Sequence, residues 1–538
     1  RTELGTRTGL ERFEEHLVDR GFAPVRFDGR DPAAFVCALY DMEKTLAANG
    51  RRAVAGEQSY PVRVPYGIAE TLKGFGFYGA GANAAHNLPL PGSPRVDARA
   101  RELFQQHADR LWVAPDELAT CIARLNQHDS QQRPLERDHA LACRNPAEPV
   151  MPQLLQASGP CSPMQAVDDF FTALVIANPG LRARVGNPDE LASNRLHKVL
   201  DQLKHRVNDP ESDQESVLGR VITALNEEAV VSACLGNKAG LNVVASYEAF
   251  CVKMLGAIRQ ELIFARHQRE VDRPPRWLGF PVIATSHTWE NGKNEQSHQD
   301  TTFCEALLGE MNDVSRVVFP ADYNSTLAVL PGIYQGRGTL TCMVIPKRER
   351  PCVFNDTEAR ALARNGALVV DEDTSNGEPV LLIANGAYQL SELMRACERL
   401  RETGTPFRLV YLQEPARFRQ PRDIHEANAC LSEFERERLF PFRLHRRVAL
   451  THMRPEVFRG HLHPLFPEPR HSRVLGYINR GGTLDESGML FANRCSWAHA
   501  LAACALVMER PPGEWLSSAE LAAVEGRGDP GVVTRAPG

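Results

Sequence analysis

Residues 280–300 read Phe280-Pro281-Val282-Ile283-Ala284-Thr285-Ser286-His287-Thr288-Trp289-Glu290-Asn291-Gly292-Lys293-Asn294-Glu295-Gln296-Ser297-His298-Gln299-Asp300. The run Phe280 to Ala284 has the apolar composition of a strand buried on both faces, and everything after it is polar or titratable. In parallel sheets covered by helices, ligands bind beyond the carboxyl ends of the strands. The stretch therefore predicts a parallel α/β sheet with a functional loop at that edge. The plain alternative for His287 is a hydrogen-bonded loop histidine.

Outward from this point the same alternation continues. Strands are expected at Arg316 to Phe319 and Leu340 to Ile345, and helices around Ala249 to Ala265 and Phe303 to Met311. A βαβ unit follows, with a strand at Val380 to Ala384, a helix at Ser391 to Leu400 closed by Gly404, and a strand at Phe407 to Leu412. A last helix falls at about Trp497 to Met508, and Gly526 to Gly538 reads as a loose tail. Toward the start, Asp31-Pro32 opens a helix carrying Phe35 to Leu46, which Asn49-Gly50 should stop. Val62 and Val64 form a short strand ending at Tyr66-Gly67, and Gly74 to Asn83 is too glycine-rich for regular structure. Residues 126–162 read as a linker, after which Ser162, Pro163 and Gln165 form an N-cap, first-turn proline and capping-box partner for a helix with Phe170, Phe171, Leu174 and Val175 on one face. The expected divisions are 1–125, 126–162, 163–350 and 351–538.

A chain of 538 residues exceeds what one core supports. Its 62 basic and 67 acidic side chains give a net charge of −5, leaving no basic excess for a nucleic-acid partner. No apolar run reaches the length of a bilayer span. The 13 cysteines are odd in number, scattered and without a CxxC pair, which predicts a reducing, cytoplasmic setting. His287 and His298 lack the spacing of a zinc site. His461-Leu462-His463 would put two rings on one face of a strand, with no third ligand nearby.

The loop from Thr285 to Asp300 resembles a signature of the thiamine-diphosphate-dependent phosphoketolase family, in which a Thr-Ser-His-aromatic run precedes an Asn and then Ser-His-Gln-Asp. Gly186 to Leu196, reading GNPDELASNRL, resembles that family's substrate-phosphate segment, and Ala245 to Phe250, reading ASYEAF, its Ser-Tyr-Glu-Ala-Phe motif. The resemblance implies a transketolase-like fold of three successive α/β regions with mainly parallel sheets. Residues 1–125 would correspond to the end of a diphosphate-binding domain, 163–350 to the pyrimidine-binding domain and 351–538 to the C-terminal domain.

It also implies roles. Glu227, or Glu228 if the match slips by one, would be the acid that shares a proton with the aminopyrimidine of thiamine diphosphate and so makes its reactive carbon nucleophilic. Read from periodicity alone, Glu227 is an exposed helix carboxylate. Tyr247 and Phe250 would be the aromatic walls of the pyrimidine site, and otherwise plain helix core. His298, and His86 in Ala85-His86-Asn87-Leu88-Pro89-Leu90, would exchange protons with the bound intermediate. Ser193, Arg195, Lys293, Asn294 and Lys347 would bind the sugar phosphate or inorganic phosphate.

Two departures stand out: Lys293 where the family usually has a histidine beside Asn294, and Tyr66 where it usually has a lysine before Gly67. No Gly-Asp-Gly occurs in the sequence, although the family clamps Mg²⁺ and the diphosphate through one. The expectation is a subunit that cleaves a ketose phosphate to acetyl phosphate and an aldose phosphate. A second polypeptide would hold Mg²⁺ and the diphosphate, in a hetero-oligomer with at least two copies of this chain. The rivals are transketolase-like or acyl-transfer chemistry, left open by Lys293, and a non-catalytic scaffold or regulatory subunit.

Overall fold

The computed structural model describes residues 8–57, 62–131, 145–189, 191–374 and 377–535, including the backbone but not the side chain of Lys293. The chain divides into two compact units, Arg1–His139 and Ala140–Gly538.

In the first unit, strands β1 (Phe22–Asp28) and β2 (Val64–Glu70) pair in parallel. The helix between them, Pro32–Val54, starts on Asp31, whose carboxylate accepts from the Ala33 amide. The sequence reading ends this helix at Asn49-Gly50, but it continues a turn further. The Asn49 amide donates to the Arg63 carbonyl at 3.2 Å instead of capping. The chain leaves the helix at Gly56, whose φ of 73° suits glycine. Helix Pro115–Ser130 runs past residue 125, so the start of the expected linker is helical.

The second unit holds two sheets. The first contains β3 (Arg182–Gly186), β4 (His205–Arg206), β5 (Glu215–Ser216), β6 (Val221–Ile222), β7 (Gly240–Tyr247), β8 (Phe280–Thr285), β9 (Ser315–Val318) and β10 (Leu340–Val344) in the order β5-β4-β6-β3-β7-β8-β10-β9. Its pairings are parallel. All residues of β8 and β10 are buried, as expected for strands covered on both faces. The second sheet contains β11 (Ala367–Asp373), β12 (Val380–Asn385), β13 (Phe407–Leu412), β14 (Arg447–Thr451) and β15 (Ser472–Leu475) in the order β11-β13-β12-β14-β15. Only its edge strand β11 runs antiparallel.

The helix Pro163–Ala177 buries Phe170 and Phe171 against Tyr334 of the helix Tyr323–Gln335. Each such side chain stabilises the fold by about 1.5 to 3 kcal/mol. Its expected capping box does not form. Ser162 Oγ donates instead to the Lys347 carbonyl at 2.8 Å, and Gln165 accepts from Cys161 Sγ. Residues 132–144 of the expected linker lie outside the described residues. Within residues 145–162 buried amides strap the chain down: Asn178 pairs with both backbone groups of Val150, and Asn324 with both of Ala157.

Two further expectations are corrected. His461 ends the helix Pro455–His461 and His463 opens the next turn, so they do not share a strand face. The terminal segment forms a helix, Gly531–Thr534, that buries Val533 and offers its carbonyl to Trp497 Nε1 at 3.1 Å. Residues 536–538 lie outside the described residues. Every cysteine among the described residues is free, and no described helix is long and apolar enough to cross a membrane.

Candidate active site

The order of the larger sheet locates the site. After β3 the chain builds β4, β5 and β6 on one side, then crosses to place β7 on the other. Such a reversal opens a crevice at the carboxyl ends of the two strands that flank it. The segments singled out in the sequence meet this edge from several directions. Gly186 to Leu196 follows β3, Glu227 follows β6, Tyr247 ends β7, Thr285 to Asp300 follows β8, and Lys347 follows β10.

Glu227 is the first residue of the helix Glu227–Leu235, capped by Asn226, whose side chain accepts from the Ala229 amide at 2.8 Å. This helix packs so closely on β3 that a Cβ on Gly186 would sit 2.9 Å from the Val230 carbonyl oxygen. Glu227 is only 8% exposed, whereas Glu228 is exposed and turned toward Gly256. Glu227 is thus not the exposed helix carboxylate that periodicity alone suggests, whereas Glu228 is exposed. Lys253 Nζ donates to Glu227 Oε1 at 3.1 Å and lies 4.8 Å from the centre of the Phe250 ring.

Phe250 and Tyr247 are nearly parallel, with centroids 6.2 Å apart and planes at 8°. Neither is fully buried, unlike plain helix core. The His298 ring meets Phe250 edge-on at 4.8 Å, and its Nδ1 is paired with Ser297 Oγ at 2.9 Å. Ser297 Oγ also donates to the Asn294 carbonyl, and Lys347 Nζ lies 5.0 Å from the Tyr247 ring centre. The structure thus brings together Glu227, Tyr247, Phe250, His298, Asn294 and Lys347. Ser193 and Arg195 lie on the turn beyond β3, Arg195 with a φ of 64°. His86 belongs to the first unit, where its Nδ1 is 2.6 Å from Lys73 Nζ. Tyr66, also in that unit, meets Phe13 and Phe22 edge-on. The side chain of Lys293 lies outside the described residues.

Beneath this layer is a buried network that the sequence reading missed. Glu248, between the two aromatic residues, accepts from His452 Nε2 at 2.7 Å with Oε1, and from both the amide and hydroxyl of Thr288 at 2.9 Å with Oε2. Burial alone would raise the Glu248 pKa, but the facing charge and hydrogen bond of His452 hold it below the ordinary carboxylate value. Glu290 accepts from the amides of Lys347 and Arg348 and from the Tyr388 hydroxyl. His452 was legible in principle: it directly follows the buried run Arg447–Thr451, the same strand-end signal that marked the loop after β8.

Burial pushes His287 down to about 4 from an ordinary value near 6.5. A basic group with a lowered folded-state pKa is neutral in both states above pH 6.5. Between 6.5 and about 4 only the unfolded chain takes up the proton, so His287 should cost the second unit about 3 kcal/mol over that window, and His499, which burial also pushes down to about 4, adds to the loss. Urea unfolding at pH 7.5 and 4.5 measures the total, and His287→Gln should remove its own share of the difference.

The loop holds an unusual concentration of buried polar atoms without a protein partner: Thr285 Oγ1, Ser286 Oγ, His287 Nδ1 and Asn291 Nδ2. Buried polar atoms are otherwise nearly all paired, so such a group marks a place for a ligand or water. Separately, Glu227 with the Tyr247 and Phe250 rings offers the carboxyl group and aromatic faces that an aminopyrimidine ring would use.

The fold and this edge define the class: a transketolase-like α/β protein. The transketolase from Leishmania mexicana matches 94% of this chain and 69% of its own length, with a TM-score of 0.61 at 16% identity. That from Campylobacter jejuni matches 94% and 70%, with a TM-score of 0.59 at 14% identity. By sequence, residues 165–335 match the family D-xylulose 5-phosphate/D-fructose 6-phosphate phosphoketolase. The xylulose-5-phosphate phosphoketolase of Lactiplantibacillus pentosus is 24% identical over 432 residues, 74% of this chain and 54% of that one. A probable phosphoketolase of Streptomyces avermitilis is 28% identical over 335 residues, 58% of this chain and 40% of that one. The chain spans about half the length of the curated relatives it matches.

Proposed function

We propose that this chain supplies the pyrimidine site of a thiamine-diphosphate-dependent, phosphoketolase-like enzyme. The enzyme would cleave a ketose phosphate, with inorganic phosphate as acceptor, to acetyl phosphate and an aldose phosphate. The observation that carries the reading is the convergence of Glu227, the Tyr247–Phe250 pair and His298 at one sheet edge. When bound, the cofactor supplies a nucleophilic carbon that attacks the ketose carbonyl. Glu227 shares a proton with its pyrimidine nitrogen, and Tyr247 and Phe250 hold the ring by stacking. His298 moves a proton to or from the substrate, while Asn294, Lys347, Ser193 and Arg195 bind phosphate oxygens. On the strength of their motifs, His86 of the first unit is assigned a proton-transfer role and Lys293 a phosphate-binding one.

We further propose that a second polypeptide holds the diphosphate and Mg²⁺. Native mass spectrometry of the purified protein should then show a hetero-oligomer with thiamine diphosphate and Mg²⁺. A homo-oligomer unable to take up the cofactor would favour a non-catalytic scaffold. Lys293 supports one rival, because an ammonium replaces an imidazole where acid–base chemistry is expected. Product analysis with xylulose 5-phosphate and phosphate separates the two: acetyl phosphate is expected, and two-carbon transfer to an aldose alone would replace the phosphoketolase reading with a transketolase-like one.

A further inference from the structure

We infer that Lys253 is a gate on the pyrimidine site: its ammonium holds the carboxyl of Glu227 until the cofactor ring displaces it. The inference rests on the proposed role of Glu227. Lys253 lies in the single turn Val252–Met254, between the helices Glu248–Cys251 and Leu255–Glu270. Its head reaches Glu227 Oε1 at 3.1 Å and covers the Phe250 ring at 4.8 Å. It therefore occupies both the polar and the aromatic contact that an aminopyrimidine would need.

The two partners are unequally held. The Glu227 side chain is 10% exposed and starts a capped helix, while the Lys253 side chain is 57% exposed on a long flexible stem. The lysine can swing into solvent by rotating its own side-chain bonds, with the backbone left in place. Lys347, the other cation of the cluster, lies over Tyr247. Because the ammonium sits on Glu227 Oε1 and over the Phe250 face, the lysine head and the bound ring compete for the same space.

The test is calorimetric titration of the purified complex with two probes: thiamine, which needs no diphosphate anchor, and thiamine diphosphate with Mg²⁺. Lys253→Met keeps the stem over Phe250 and removes the charge. It is expected to tighten both affinities by about two- to fivefold, the scale of one partly exposed ion pair, while Lys253→Arg stays near the unmodified chain. Adding Glu227→Gln should abolish the gain. If Lys253→Met leaves binding unchanged or weaker while Glu227→Gln weakens it, the gate is wrong and the Glu227 reading stands. A gain that survives Glu227→Gln would also overturn the gate, because the lysine would then act elsewhere. If no variant alters binding, or none binds either probe, both readings fall.

Discussion

Glu227→Gln is expected to lower acetyl phosphate formation by about 10²- to 10⁴-fold, the usual contribution of a positioned acid or base. Glutamine keeps the size and hydrogen-bonding capacity of the side chain but has no carboxyl proton to share with the pyrimidine nitrogen. The fold should be almost indifferent to the change. The Asn226 cap does not involve the Glu227 side chain, and the ion pair lost is to a lysine that is more than half exposed. Such pairs are worth about 0 to 1 kcal/mol. Glu228→Gln, on the exposed neighbour, is the control and should behave like the unmodified protein. Equal activity of the Glu227→Gln and unmodified complexes would remove Glu227 from the mechanism.

The largest effect on stability is expected from the buried pair. Either Glu248→Ala or His452→Ala should destabilise the second unit by about 3 to 5 kcal/mol, because each leaves an ionisable partner buried and uncompensated. In addition, Glu248→Ala strips two hydrogen bonds from Thr288. Replacing both residues together, Glu248→Met with His452→Leu, should cost less than either single change, since the desolvation burden then disappears. Urea unfolding followed by tryptophan fluorescence gives the comparison, and Trp289, whose Nε1 donates to the His452 carbonyl at 3.2 Å, is a reporter at the pair itself. Additive losses in the double variant would show that Glu248 and His452 act independently.

How much of this was legible in the sequence depends on whether the deciding signal is local. Phe280–Ala284 could be read because a strand covered on both faces is apolar almost throughout. The polar loop beyond β8 could be read because strand ends in parallel sheets gather function. The capping box at Ser162 could not be judged, since the competing acceptor, the Lys347 carbonyl, is distant in sequence and close only after folding. The helix stop at Asn49-Gly50 failed because one glycine costs only about 1 kcal/mol in a helix, and the Asn49 side chain found another partner. Glu248 hid inside a motif read for its aromatic residues. Lys253 hid because nothing local distinguishes a lysine facing a carboxylate from one facing water.

The loop from Thr285 to Asp300 is held from the far side as firmly as from its own sheet. A Cβ on Gly292 would sit 1.6 Å from the Leu484 carbonyl oxygen. Gln299 donates to the Gly482 carbonyl at 3.1 Å, and Tyr477 donates to the Gln299 carbonyl at 2.9 Å. For anyone recombining such proteins, this sets where a crossover can fall. A chimera spliced near residue 350 would give the loop a foreign mould, whereas one that carries residues 145–535 as a block keeps loop and mould together.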